Sequence, residues 1–200
     1  MIVESMSYSS LAGWKWNINW RDGQVFFIIY YKYLISNVKQ IPMNELFPAE
    51  IVGAEAMRAF GAKIGNLLKS GDIVALIGDL GVGKTHITQG IAQSMGYEGE
   101  VTSPTFALVN EYLAETAEYL DLFHFDVYRL DEADELLQIG WEDYLEREGV
   151  IVIEWADKFP ELIPSGTWCV GIEHAEFKEQ NEDGIEAIQE GRKLVCELLG

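Results

Sequence analysis

Short apolar runs alternate along this chain with stretches of helical spacing. Ile73-Val74-Ala75-Leu76-Ile77 and Val150-Ile151-Val152-Ile153 are apolar at every position, the pattern of strands buried on both faces. Residues 120–128 alternate well enough for a strand, 106–112 are strand-like, and 167–172 supply a last central strand. Between them, Met57, Phe60, Ile64, Leu67 and Leu68 recur every three or four positions, which predicts an amphipathic helix over 49–69 ended by Gly71. Ile87, Ile91, Ala92 and Met95 repeat that spacing over 85–95. A third helix is expected over 131–139, with Glu132, Asp134 and Glu135 in its first turn, where the helix dipole favours acids. Residues 174–191 are polar and acidic and read as a solvated loop or hairpin. Strands alternating with helices argue for a three-layer α/β domain around a central, largely parallel sheet.

Residues 1–42 break this pattern. They hold nine of the chain's 24 aromatic residues but only two acids, Glu4 and Asp22. The run Val25 to Ile35 is apolar on both faces yet too short to span a bilayer. A basic n-region is sparse and no small-residue cleavage site follows, so the signal-peptide reading is weak. Two readings stay open: an aromatic, β-rich appendage, or a mis-assigned start with the natural protein beginning at Met43. The second is preferred, because the pattern of the domain 43–200 begins cleanly there.

Composition narrows the function. The hydrophobic share of 48% over 200 residues suffices for one well-buried domain. Cys169 and Cys196 are too few and too far apart in sequence for a disulfide framework or zinc site, which suits a reducing, cytoplasmic setting. No apolar stretch reaches the roughly 18 residues of a membrane span, and no membrane partner is expected. A net charge of −19 is the wrong sign for gripping a nucleic-acid backbone unaided. The five arginines and nine lysines are scattered, so any role in a nucleic-acid pathway would run through a partner protein.

The candidate chemistry lies between the first strand and the second helix. Gly78-Asp79-Leu80-Gly81-Val82-Gly83-Lys84-Thr85 is a complete G-x-x-x-x-G-K-[ST] loop that follows a strand and opens a helix. Its glycines let backbone N–H groups turn inward at the helix N-terminus, where phosphate is favoured. Lys84 is expected to reach the β- and γ-phosphates and the Thr85 hydroxyl to hold Mg²⁺. Such a loop needs a carboxylate at a neighbouring strand tip. Asp126 and Glu154 both end apolar strands, and their spacing does not divide the roles between them. His124 lies two residues before Asp126 on the same strand face, either to orient it or as a structural histidine. Arg129 would stabilise phosphoryl charge or else pair with Asp131 or Asp134.

These blocks in this order resemble the TsaE (YjeE) family of P-loop NTPases. The phosphate loop is followed by Val101-Thr102-Ser103-Pro104-Thr105-Phe106, Leu108-Val109-Asn110-Glu111-Tyr112, His124-Phe125-Asp126-Val127-Tyr128-Arg129-Leu130 and Ile153-Glu154-Trp155. The resemblance covers about Ala54 to Pro164. It implies an ATPase required for forming N6-threonylcarbamoyladenosine (t6A) beside the tRNA anticodon. Such a protein acts on the TsaD and TsaB partners without transferring the group itself, and meets tRNA only through that complex. It further implies ATP and Mg²⁺ as ligands, Glu154 and Thr85 as the metal-holding residues and Asp126 as the catalytic or water-organising acid. Thr105 would be a switch-like residue near the γ-phosphate, and Trp155 would serve the nucleotide site. His86 stands where the family usually has threonine, and the family has nothing like residues 1–42.

A small-molecule or nucleotide kinase is the main alternative, sharing the size and the loop. Kinases of that kind cover both phosphoryl groups with an arginine-bearing lid. Only Arg129 and Arg147 lie where a lid would insert. A nucleotide-gated binding module differs from the ATPase reading only by degree, since phosphate-loop proteins hydrolyse slowly without partner-supplied groups.

Overall fold

The computed structural model describes residues 42–180 and 186–200, all within the compact unit Ile41–Gly200. The expectations for residues 1–42 therefore fall outside the described residues, Pro42 apart. The described strands form one sheet in the order β1-β7-β6-β2-β5-β4-β3. They are β1 (Ala49–Ile51), β2 (Ile73–Ile77), β3 (Val109–Tyr112), β4 (Leu122–Asp126), β5 (Val150–Glu154), β6 (Trp168–Gln180) and β7 (Glu186–Leu198). β6, β2, β5 and β4 run parallel through the centre; β7 on one side and β3 on the other run against them, and β1, antiparallel to β7, again runs with them.

β2 and β5 are covered on both faces, which is why Ile73–Ile77 and residues 150–153 are continuously apolar, whereas the equally covered β4 admits His124. Val74, Leu76, Leu122, Val152, Val170 and Ile172 face helices α1 (Ala54–Gly65) and α2 (Lys84–Ser94). Ala75, Phe123, Phe125, Ile151 and Ile153 face the opposite layer, which includes the short helices α3 (Ala133–Gln138) and α4 (Trp141–Leu145). The result is the three-layer α/β arrangement that the alternation of elements implied. α1 and α2 approach closely because glycine lies at their contact. A Cβ on Gly90 would overlap the Arg58 carbonyl oxygen and lie 2.7 Å from the Ala62 nitrogen.

Several elements depart from the sequence reading. Ala49–Ile51 is not the start of a helix but an edge strand paired to β7, and α1 begins at Ala54. Residues 106–108 are not strand; the Leu108 N–H donates to the Pro104 carbonyl at 2.6 Å, and Leu108 takes φ 67°. The third helix is shorter than expected, starts behind a Glu132–Glu135 capping box and is followed at once by α4. β6 runs on far past Ile172, and β7 returns along it from Gln180↔Glu186 to Trp168↔Leu198. Of the two readings for 174–191, the hairpin is the one observed. Cys169 and Cys196 lie on these neighbouring strands but point to opposite faces of the sheet, and both are free.

Candidate nucleotide site

β2 ends against the glycine loop, and the loop opens α2. Gly83 takes φ 114°, a left-handed conformation that favours glycine, immediately before the helix begins at Lys84. Gly78 is required for a second reason: a Cβ there would overlap the Ile172 carbonyl oxygen of β6. The loop thus curls tightly over the ends of β2 and β6, leaving a cavity of 440 Å³ on its other side.

That cavity gathers polar groups in a way that the rest of the domain does not. Among the described residues the buried polar or charged ones are Lys84, Thr88, His124, Asp126, Glu154 and Thr167. Lys84, Asp126 and Glu154 line the cavity. Buried polar groups are rare unless bonded or functional, so this concentration marks the site. The Lys84 ammonium donates to the carbonyls of Gly78 at 2.6 Å and Asp79 at 2.9 Å, and lies 3.6 Å from the Trp155 ring centroid. Burial pushes it below the usual lysine range, partly offset by the carboxylates of Glu154 and Asp126.

The parallel register of β4 and β5 sets Asp126 directly beside Glu154. Glu154 reaches α2, where the Thr85 hydroxyl donates to its Oε1 at 3.0 Å, and the same oxygen meets the His124 Nε2 at 2.9 Å. His124 is therefore a partner of Glu154 and not of Asp126. Asp126 is instead held by the loop before β3. The hydroxyls of Thr105, at 2.8 Å, and Ser103 donate to its Oδ2, and the Tyr128 N–H donates to Oδ1 at 3.1 Å.

Trp155 takes φ 64°, an uncommon conformation for a bulky residue, and this turns its ring back over Lys84 and against Tyr128. Arg129 stacks over the exposed Phe106 at 4.1 Å, at the rim of the same cavity. Gly81, Leu80 and His86 complete the rim, whereas Val82 is buried beneath the loop.

A larger groove of 1160 Å³ lies at the far end of α2, between the 96–101 and 112–120 segments. None of the residues singled out from the sequence for catalysis or ligand binding lines it.

With this geometry in place, residues 51–183 match the family described as threonylcarbamoyl adenosine biosynthesis protein TsaE. The chain belongs to the TsaE family. Similar proteins include the Bacillus subtilis tRNA threonylcarbamoyladenosine biosynthesis protein TsaE, 33% identical over 148 residues, spanning 74% of this chain and 90% of that protein. The Haemophilus influenzae protein of the same name is 37% identical over 124 residues, 60% of this chain and 77% of that one. Among solved structures, a crystal structure of Bacillus subtilis YdiB aligns with TM-score 0.56 at 28% identity, over 74% of this chain and 84% of that chain. These matches bear out the resemblance and the P-loop nucleotide-binding fold.

Every residue proposed from the sequence lies in or immediately beneath this one site. Two participants were not assigned a role from sequence. Ser103 shares the Asp126 oxygen with Thr105, two residues away in the same loop. Arg192, on β7, donates from Nε to the Val82 carbonyl of the phosphate loop at 2.8 Å. No local pattern marks Arg192, because its partner is 110 positions earlier. Arg147 moves the other way: Glu111 holds it in a two-pronged pair at 2.7 and 3.0 Å, so it does not serve a kinase-type lid.

Proposed function

We propose that this chain is the ATP-binding and ATP-hydrolysing member of the bacterial t6A machinery, acting on the TsaD–TsaB pair in the cytoplasm. Family membership supports the pathway, and the bond from Thr85 to Glu154 beneath the phosphate loop carries the chemistry. That pair offers oxygen donors only, and no cluster of three His, Cys, Asp or Glu residues occurs among the described residues. Such a donor set suits Mg²⁺, which keeps several waters and takes one or two protein oxygens plus phosphate.

The Thr85 hydroxyl donates a hydrogen bond to Glu154, which leaves lone pairs on its oxygen free for the ion. A Mg²⁺ held by Thr85 and Glu154 would neutralise charge on the phosphate oxygens. Lys84 exchanges the two loop carbonyls for phosphate oxygens, and Trp155 keeps its ammonium aimed. Asp126 orients the attacking water once Thr105 leaves it for the γ-phosphate. The net charge of −19 opposes a direct grip on tRNA, so tRNA contact belongs to the partners.

ATP turnover of the full chain, alone and with TsaD and TsaB, tests this. Turnover should be slow alone and faster with the partners, and lost in Lys84→Ala. Equal rates with and without partners would refute the partnership, and undiminished turnover in Lys84→Ala would refute the site.

A further inference from the structure

Among the described residues, His124 is a fully buried polar residue that touches Glu154 without lining the cavity itself. Its ring is fully buried in β4 and lies nearly parallel to Tyr112, with centroids 6.4 Å apart. Nδ1 is buried and without a hydrogen-bond partner. An aromatic hydrocarbon would fill the same place without that cost, as Phe123 and Phe125 do on the opposite face. What the imidazole adds is the single bond from Nε2 to Glu154 Oε1 at 2.9 Å. A carboxylate oxygen only accepts, so Nε2 carries the proton and donates.

Glu154 is thus held by side chains of two different elements, which meet at Oε1. Thr85 approaches both of its oxygens, at 3.0 and 3.3 Å, from the helix that opens at the phosphate loop. His124 holds Oε1 from within the sheet, one strand away. Side chains that hydrogen-bond to a metal-holding carboxylate fix its rotation and so raise its affinity for the ion. We propose that His124 is a positioning residue that holds the Glu154 carboxylate in the orientation required by the Mg²⁺ of a bound nucleotide. The inference rests on the reading above that Thr85 and Glu154 hold that ion.

Calorimetric binding of ADP to the full chain, in chelator and across a Mg²⁺ titration, tests it in wild type, His124→Asn, His124→Gln and Glu154→Gln. The glutamine amide reaches about as far as Nε2 and can donate to Oε1, whereas asparagine reaches only the place of Nδ1. His124→Asn should raise the Mg²⁺ concentration for half-effect by about tenfold or more while leaving metal-free ADP affinity unchanged. His124→Gln should restore most of the loss. If Glu154→Gln raises the Mg²⁺ requirement and His124→Asn does not, the inference falls and the metal reading stands. If Glu154→Gln leaves it unchanged, both fall. Equal loss of metal-free binding in the Asn and Gln variants would reduce His124 to a packing role and overturn the inference. A measurement on the wild-type protein needs no substitution. The Nε2–H is buried and bonded to Glu154, so its NMR resonance should move when Mg²⁺ is added to the ADP complex. A resonance that stays in place would refute the coupling.

Discussion

Gly90→Ala sets two effects of opposite sign against each other, and the structure decides which is larger. Alanine is the better helix former, and on propensity alone the change would stabilise α2 by about 1 kcal/mol. The new Cβ, however, would overlap the Arg58 carbonyl oxygen and come within 2.7 Å of the Ala62 nitrogen and 2.9 Å of the Arg58 carbonyl carbon. These are backbone atoms of α1, so no rotamer change relieves the contact, and the helices must separate. Overpacking of this kind costs about 3 kcal/mol at the upper end of its usual range. The net expectation is a loss of about 2 kcal/mol, or roughly 4–8 °C in Tm for a domain of this size. Gly65→Ala is the comparison. There the new Cβ would overlap the Ser94 hydroxyl, and the nearest backbone atom, the Ile91 Cα, is 3.0 Å away. A serine side chain can rotate aside, so the loss should be smaller. Thermal melts of the three proteins give the answer. A Gly90→Ala protein that melts at or above the wild-type temperature would show that helix propensity wins and that the α1–α2 contact is looser than described.

The other predictions concern the site and its supports. Arg192→Ala removes the donor to the Val82 carbonyl and should weaken nucleotide binding by roughly fivefold, about 1 kcal/mol, with little change in Tm; calorimetry would show it, and unchanged affinity would refute the link between β7 and the loop. Thr105→Ala should cut ATP turnover more than ADP affinity, because the proposed partner that Thr105 leaves Asp126 to meet is the γ-phosphate, which ADP lacks; an equal fall in both would contradict the assignment. The Glu111 carboxyl is held down to about 2, first by the Arg147 hydrogen bonds and then by the Tyr144 hydroxyl. A lowered carboxyl stabilises the fold above its unfolded value of about 4.3 and loses that contribution as pH falls toward 2. Because this pair is about a third exposed, the effect is only about 0.5–1 kcal/mol. Urea melts of Glu111→Gln should therefore fall below wild type at neutral pH and converge with it as the pH is lowered, and a constant gap would refute the pairing.

Much of this domain is written in local pattern. β2 spans its apolar run and β5 runs one residue beyond its own, to Glu154, because a strand covered on both faces favours apolar side chains throughout. The phosphate loop is legible for a similar reason: its glycines, lysine and threonine are neighbours in sequence and serve one another at short range. Asp126 and Glu154 stood out as acids at the ends of apolar strands, but the sequence alone could not tell what each would hold. That division came with the parallel register of β4 and β5 and with the docking of α2, which give Thr85 and His124 to Glu154, and Ser103 and Thr105 to Asp126.

The features that escaped the sequence depend on partners far along the chain. β1 has three residues and no period of its own, and is a strand only because β7 offers it an edge. β7 carries charges at ordinary helix or loop frequency and is ordered by pairing with β6. Leu108 and Trp155 adopt left-handed conformations that neither residue favours, imposed by the turns that bring Asp126 and Lys84 together. Arg192 reaches the phosphate loop only after two strands have folded back on themselves. The sequence determined the loop, the central strands and the identity of the acids, since these follow from short-range sterics and burial. The tertiary structure alone decided which hydroxyl, imidazole or guanidinium meets each of them, since hydrogen bonds between distant residues leave no local period to read.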